Sequence, residues 1–272
     1  RLSKYQDKLI EIYDKNPNFI LPITRKNELV NNFIKPGLED LCVSRTSVKW
    51  GIPVDFDPKH VVYVWIDALS NYITSLGYPD ENAELFKKYW PADIHLVGKE
   101  ITIDTPKQVF GHGWLIINGG KISKSLGNYK DPREYIDAYG IDAVRYFVLR
   151  EVPFGADGTF SEEALINRTN ADLVNNLGNL FNRTVSMAHK YFSGLVENKE
   201  VLEDYDNSLI YSVNNLDNVL NEKMDGLKIN EALDELFDVF RKCNKYIDEA
   251  TPWVLAKDET KKDRLETVLF NL

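Results

Sequence analysis

Apolar positions in the first eighteen residues fall at helical spacing: Leu2, Tyr5, Leu9, Ile12 and Tyr13. Pro17 ends the pattern. A second short helix is expected from Asn27 to Val30 and on to Phe33 and Ile34, stopped before Pro36-Gly37. The pattern then changes period. Residues 60–67 carry the unbroken run Val61-Val62-Tyr63-Val64-Trp65-Ile66, which reads as a buried strand. Leu69, Tyr72, Ile73 and Leu76 share one side of a following helix closed by Gly77. Leu85, Phe86, Tyr89 and Trp90 make another before Pro91. Ala92 to Gly98 reads as the next strand and Gln108 to Gly113 as the third, with apolar residues continuing to Ile117. Alternating strands and helices imply an α/β domain with a parallel sheet.

Beyond residue 130 the period is helical. Tyr135, Ile136, Ala138 and Tyr139 begin it, and Ile141 to Arg150 is a strongly apolar helix broken by Pro153 and Gly155. Ser161 is placed to cap the next helix. Residues 161–192 put Leu173, Val174, Leu177, Leu180, Phe181, Ala188 and Phe192 on one face. Residues 208–224 repeat this with Ile210, Val213, Leu216, Leu220 and Met224, and residues 229–247 with Ile229, Leu233, Leu236, Phe240, Cys243 and Ile247. A last segment carries Leu265, Val268, Leu269 and Leu272. Four striped helices should form an all-α bundle, with the boundary between the two halves near Pro153 to Phe160.

The parallel sheet does not close in the usual way. Neighbouring parallel strands need a crossover of about a dozen residues or more, and only residues 99–107 separate Gly98 from Gln108. Either these strands are joined differently or a segment is absent.

Composition narrows the class. With 43% hydrophobic and 28% charged residues in 272, the chain reads as an ordinary soluble globular protein. No apolar run has the length of a membrane span, so no membrane partner is expected. Arg1 to Asp7 does not read as a signal peptide. Cys42 and Cys243, one in each half, suggest two buried thiols in a reduced, cytoplasmic protein, without a disulfide framework or metal site. The net charge of −9 argues mildly against RNA in bulk, although local patches and base stacking can serve an RNA partner.

The densest chemistry is Lys121-Ile122-Ser123-Lys124-Ser125, after Asn118-Gly119-Gly120 and before Leu126-Gly127-Asn128. Ammonium groups, hydroxyls and loop amides in this density suit a polyphosphate; a polar surface turn has the same composition. The loop resembles the second signature of class I aminoacyl-tRNA synthetases, K-M-S-K-S, with Ile122 in place of methionine. Val61 to Ala68 and Gly111-His112-Gly113-Trp114 resemble the methionyl-tRNA synthetases in particular, and the resemblance runs over essentially the whole chain. It implies ligase chemistry of protein biosynthesis: adenylation of methionine by ATP with Mg2+, then transfer to tRNA(Met).

The resemblance divides the chain into 1–118, the second half of an incomplete Rossmann-like catalytic domain, 119–160, the signature loop and stem-contact region, and 161–272, an α-helical anticodon-binding domain. The family's first signature, an H-I-G-H-like motif, is not formed by His60, His95, His112 or His189. The chain therefore looks like a C-terminal fragment. A family helix that helps hold methionine, following the motif like Gly98-Lys99-Glu100-Ile101, has no match in residues 101–107.

By the same resemblance Lys124 is the catalytic cation, facing the charge that builds on the α-phosphate and leaving pyrophosphate, and Lys121 supports it. Ser123 and Ser125 either donate to phosphates or shape the loop. His112 and Glu100 match the ATP site, at adenine and near the ribose. Trp65, Ala68 and Tyr72 match the methionine pocket, where an aromatic wall suits a thioether; Leu69 departs from a proline found in some members. Asn175, Asn179 and Arg183 recur every four residues and match anticodon-reading positions, with Pro252 stiffening a turn that offers Trp253 as a stacking platform. In sequence, a packed-core or solvated-face role fits Trp65, His112, Glu100 and Trp253 equally well. No C-x-x-C pair is present, so any zinc knuckle of the family lies outside this chain, and magnesium has no dedicated ligand set. The alternatives are another class I synthetase, such as the cysteine, valine or leucine enzymes, and a tRNA-binding module without catalysis of its own.

Overall fold

The computed structural model describes all residues except 81, 99–105, 118–119 and 124–126. The chain forms two compact units, Arg1–Gly113 and Trp114–Leu272.

The first unit opens with a 3-10 turn, Leu2–Tyr5, that runs into α1 (Gln6–Lys15). β1 (Ile20–Leu21) follows, then α2 (Ile23–Leu29), which continues as a π turn over Val30–Ile34. α2 begins earlier than the apolar spacing suggests, because Pro22 supplies an extended entry at φ −64° and ψ 163°. Next come β2 (Ser44–Arg45), β3 (Pro53–Val54), β4 (Asp57–Val62), α3 (Val64–Thr74), α4 (Glu84–Tyr89), β5 (Ile94–Gly98) and β6 (Gln108–His112). Tyr13, Ile20, Leu29 and Ile34 form the buried core that packs α1 and α2 on the sheet.

The expected parallel sheet is present in the order β1-β6-β5. Ile94 pairs with Gln108 and Gly98 with His112, so the strands run side by side over their full length. The return from the end of β5 to the start of β6 covers about 14 Å, from four steps of ~3.3 Å and one lateral spacing of ~4.8 Å. Nine residues reach up to about 30 Å, more than that distance.

The strand expected over 60–67 is corrected. β4 ends at Val62 and Val64 already begins α3. Short apolar runs do not distinguish helix from strand; Asp67 in the first turn favours the helix through its dipole. β4 also belongs to a separate antiparallel sheet, β2-β4-β3. Of the run 61–66 only Val61 is buried.

Cys42 is exposed rather than buried, while Cys243 lies in the core. Hydrogen bonds with Ser44, to its backbone first and its side chain second, lower the Cys42 thiol pKa; burial raises that of Cys243. In the native chain Cys42 is expected to react with an aromatic disulfide reagent within the first labelling phase, and Cys243 only on unfolding. Two equally fast thiols would contradict this placement.

The second unit starts with a hairpin of β7 (Leu115–Ile117) and β8 (Gly120–Lys121), paired Ile117 with Gly120 and Ile116 with Lys121. α5 (Pro132–Tyr139) is set by a capping box at Asp131, with Glu134 reciprocating and Pro132 at the first helical position. α6 (Ile141–Glu151) leads to β9 (Gly158–Thr159), which pairs parallel to β7. Residues 114–160 thus belong to the same unit as the helices that follow. Phe147, Phe160 and Leu165 make their core, with the Phe147 and Phe160 rings edge to face at 5.3 Å.

α7 (Glu162–Arg168) is capped by Ser161, whose side chain accepts from the Ala164 N–H. It continues as a π segment, Thr169–Gly178, into α8 (Asn179–Phe192). The helix expected over 208–224 is two, α9 (Asp204–Asn214) and α10 (Leu216–Asp225), broken at Asn215. α11 (Ile229–Ala250), α12 (Pro252–Leu255) and α13 (Lys262–Asn271) complete the unit. Leu180, Leu209, Val239, Cys243, Tyr246, Ile247 and Val268 form the main core. Val174 and Phe181 do not join it, and Phe181 is 69% exposed. Leu173, Leu177 and Leu180 face inward as expected, joined by Met187.

Two buried ionic clusters tie these helices. Asp206, fully buried, accepts from Arg264 Nη1 and Nη2 at 2.7 and 2.8 Å, from Tyr246 Oη at 2.6 Å and from the Glu203 N–H at 2.7 Å. Asp172 accepts from Tyr146 Oη at 2.6 Å and pairs with Arg150 and Arg168, while Arg150 also holds Asp234.

Candidate functional site

The signature loop leaves the β7–β8 hairpin, which places Lys121 in β8. The Ser123 N–H donates to Asn128 Oδ1 at 2.8 Å. Gly127 has φ +68°, a conformation that favours glycine. The Ser123 amide thus shapes the loop. Lys124, Ser125 and Glu100 lie outside the described residues, as does the side chain of Lys121.

At the end of β6, His112 Nδ1 stands 2.8 Å from the Gly113 carbonyl. A carbonyl only accepts, so Nδ1 carries a proton in this contact.

Trp65, Ala68 and Tyr72 sit at spacings of three and four on α3, so they share one face. Trp65 and Ala68 are on this helix, not at the end of a parallel strand as the sequence pattern suggested, while Tyr72 is helical as expected. Trp65 is 38% and Tyr72 40% exposed. Tyr72 also meets a residue that sequence reasoning passed over. Its ring lies 4.9 Å from that of His95, which in turn lies 5.6 Å from Trp90. These three line an open cavity of about 430 Å³ with Leu76 and Asp93; Trp65 and Ala68 do not line it. Burial lowers the His95 pKa, favouring the neutral ring. Alternation along β5 could have pointed to it, since His95 alone of Ile94-His95-Leu96 is buried.

In the second unit Asn175 and Asn179 are exposed, at the end of the π segment and the start of α8. One turn on, Arg183 Nη2 donates to Asp248 Oδ1 on α11 at 2.8 Å. α11 ends at Thr251, whose φ of +44° reverses the chain into α12. Pro252 is buried at the first position of that helix, so it sets the turn rather than offering a contact surface. Trp253 is 43% exposed. A polar row with a planar cation and a half-open indole has the chemistry to hydrogen-bond and stack unpaired bases. Asp248 was not evident from the sequence; its only signal is a carboxylate one turn before Thr251-Pro252-Trp253.

Among the described residues no group of three or more His, Cys, Asp or Glu side chains is arranged to hold a metal ion. Among them too, no helix is long and apolar enough to cross a membrane.

A family model described as tRNA synthetases class I (M) matches residues 1–185. The chain belongs to this family. Methionine–tRNA ligase from Caldanaerobacter subterraneus is 58% identical over 287 residues, covering all of this chain and 45% of the relative. The ligase of Clostridium perfringens is 54% identical over the same span. Mycobacterium tuberculosis methionyl-tRNA synthetase, solved in complex with methionyl-adenylate, is 43% identical and superposes with a TM-score of 0.90 over the whole chain and 56% of that protein. The chain thus spans less than half the length of these curated relatives. The aligned spans exceed the 272 residues of this synthetase chain by 15, so the alignments include positions with no counterpart in it.

Proposed function

We propose that the chain forms the signature-loop and anticodon-reading part of a methionine–tRNA ligase acting on methionine, ATP with Mg2+ and tRNA(Met) in the cytoplasm. The observation that carries this reading is the high identity over the full chain to proteins curated as methionine–tRNA ligases. The positions without counterpart are proposed to lie between Gly98 and Gln108, where two parallel neighbours are joined unusually briefly.

In this reading Lys124, supported by Lys121, neutralises the charge that grows on the α-phosphate and on the departing pyrophosphate. Ser123 and Ser125 shape or line the phosphate site, His112 contacts adenine and Glu100 faces the ribose. Trp65, Ala68 and Tyr72 give one wall for the methionine thioether. Asn175, Asn179, Arg183 and Trp253 read the anticodon, with Pro252 fixing the turn.

The test is methionine-dependent ATP–pyrophosphate exchange by the complete enzyme carrying this sequence. Lys124→Ala is expected to lower the exchange rate more than tenfold, about 1.4 kcal/mol or more. A smaller loss removes Lys124 from the chemistry. A second reading, a tRNA-binding module without catalysis of its own, is favoured by the open face of α3, which has no buried residue. Binding of an anticodon hairpin by the chain without any exchange activity supports that reading instead.

A further inference from the structure

A row of side chains every four residues does not stay on one line of an α-helix. At 3.6 residues per turn each step overshoots by about 40°, so two steps carry the third residue about 80° round the axis. Yet Asn175 and Asn179 hold the same relation to the core: Asn175 is exposed just before half-buried Asn176, and Asn179 is exposed just before buried Leu180. The π segment accounts for this. Its i→i+5 bonding widens the turn, so a step of four no longer overshoots.

Three features hold that geometry. The Asn179 N–H is shared between the Asn176 carbonyl and the Val174 carbonyl, five residues earlier. A Cβ at Gly178 would stand 3.0 Å from the Leu173 carbonyl oxygen, so this position suits a residue without one. Asn176 and Asn244 then fasten the segment to α11: Asn244 Nδ2 donates to Asn176 Oδ1 at 3.0 Å and to the Phe240 carbonyl at 3.1 Å, while Asn176 Nδ2 donates to the Phe237 carbonyl at 3.4 Å. Half-buried amides paired in this way have no part in the candidate chemistry.

We propose that the π segment Thr169–Gly178, fastened by Asn176 and Asn244, is a positioning device that brings Asn175 into line with Asn179, one turn before Arg183, for successive unpaired RNA bases. This rests on the reading of that face as anticodon-binding. Asn176, Gly178 and Asn244 are positioning residues; they act through the row and do not touch RNA.

The experiment measures binding of the 272-residue chain to an RNA hairpin with a CAU loop and to one with a scrambled loop, with far-UV circular dichroism as the check on folding. Three variants alter the register: Asn244→Ala, Gly178→Ala and deletion of Val174, an exposed residue within the segment. Each is expected to lower the preference for CAU at least tenfold while affinity for the scrambled loop stays within twofold. A purely structural role would weaken both hairpins together. Should the deletion fail to fold, the two substitutions decide. Folded register variants that keep the full CAU preference, in a protein where Asn179→Ala loses it, overturn the proposal alone. A wild-type chain with no preference for CAU overturns the reading of the face and the proposal with it.

Discussion

Arg264→Met is expected to destabilise the helical unit by about 3–5 kcal/mol, the cost of leaving a buried charge without its partner. For a unit of this size that corresponds to a drop of roughly 6–20 °C in the melting temperature. Asp206 is fully buried and takes two of its four hydrogen bonds from the Arg264 guanidinium. Removing the guanidinium leaves the carboxylate with the Tyr246 hydroxyl and one N–H. The partner helices are distant in sequence, so the loss falls on tertiary packing of α9, α11 and α13. Thermal unfolding followed by circular dichroism checks this; a shift under about 2 °C would remove the cluster from the stability of the unit. The double variant Asp206→Leu with Arg264→Met is expected to recover much of the loss, because no charge is then buried.

The same carboxylate gives a pH dependence. Burial alone would raise its pKa, but the hydrogen bonds from Arg264, Tyr246 and the Glu203 N–H outweigh burial and hold it below the ordinary value. A depressed folded pKa contributes stability above the unfolded pKa, about 3.9, and loses it as pH falls through the lower folded value. The helical unit should therefore weaken below about pH 4, and Asp206→Asn should flatten that limb.

Trp253→Ala is the second large effect. Stacking on an aromatic is worth about 1–3 kcal/mol per base, so affinity of the chain for a CAU hairpin is expected to fall by about 5- to 150-fold. The indole is 43% exposed and stands beside a buried proline that fixes the turn, so the substitution should leave the melting temperature nearly unchanged. Equal affinity in wild type and variant would mean that no base stacks there.

Much of the fold was legible where the pattern was long. In the 22-residue α11 Cys243 and Ile247 are buried as the stripe requires, while nearer its start Ala232, Phe237 and Val239 are buried beside the half-buried Leu233, Leu236 and Phe240. Ser161 and Asp131 mark helix starts because capping is local chemistry. α3 was misread because Val64-Trp65-Ile66 is too short a run to show a period. The π segment was invisible, since a wider turn changes no residue type; Val174 and Phe181, next in sequence to the inward Leu173 and Leu180, lie outside the core. The Asp206–Arg264 pair joins residues 58 apart, beyond any local signal. Among the candidate site residues, the motif identified the loop, but His95 and Asp248 matter only through neighbours that the fold brings to them.

α3 carries Trp65, Ala68 and Tyr72 and has none of its eleven residues buried. Isolated helices of that length are marginal in water, so backbone amides along it should exchange with deuterium well before those of α11. A ligand gripping Trp65 and Tyr72 would have to order the helix as well as touch it, and its measured affinity would understate the strength of those contacts.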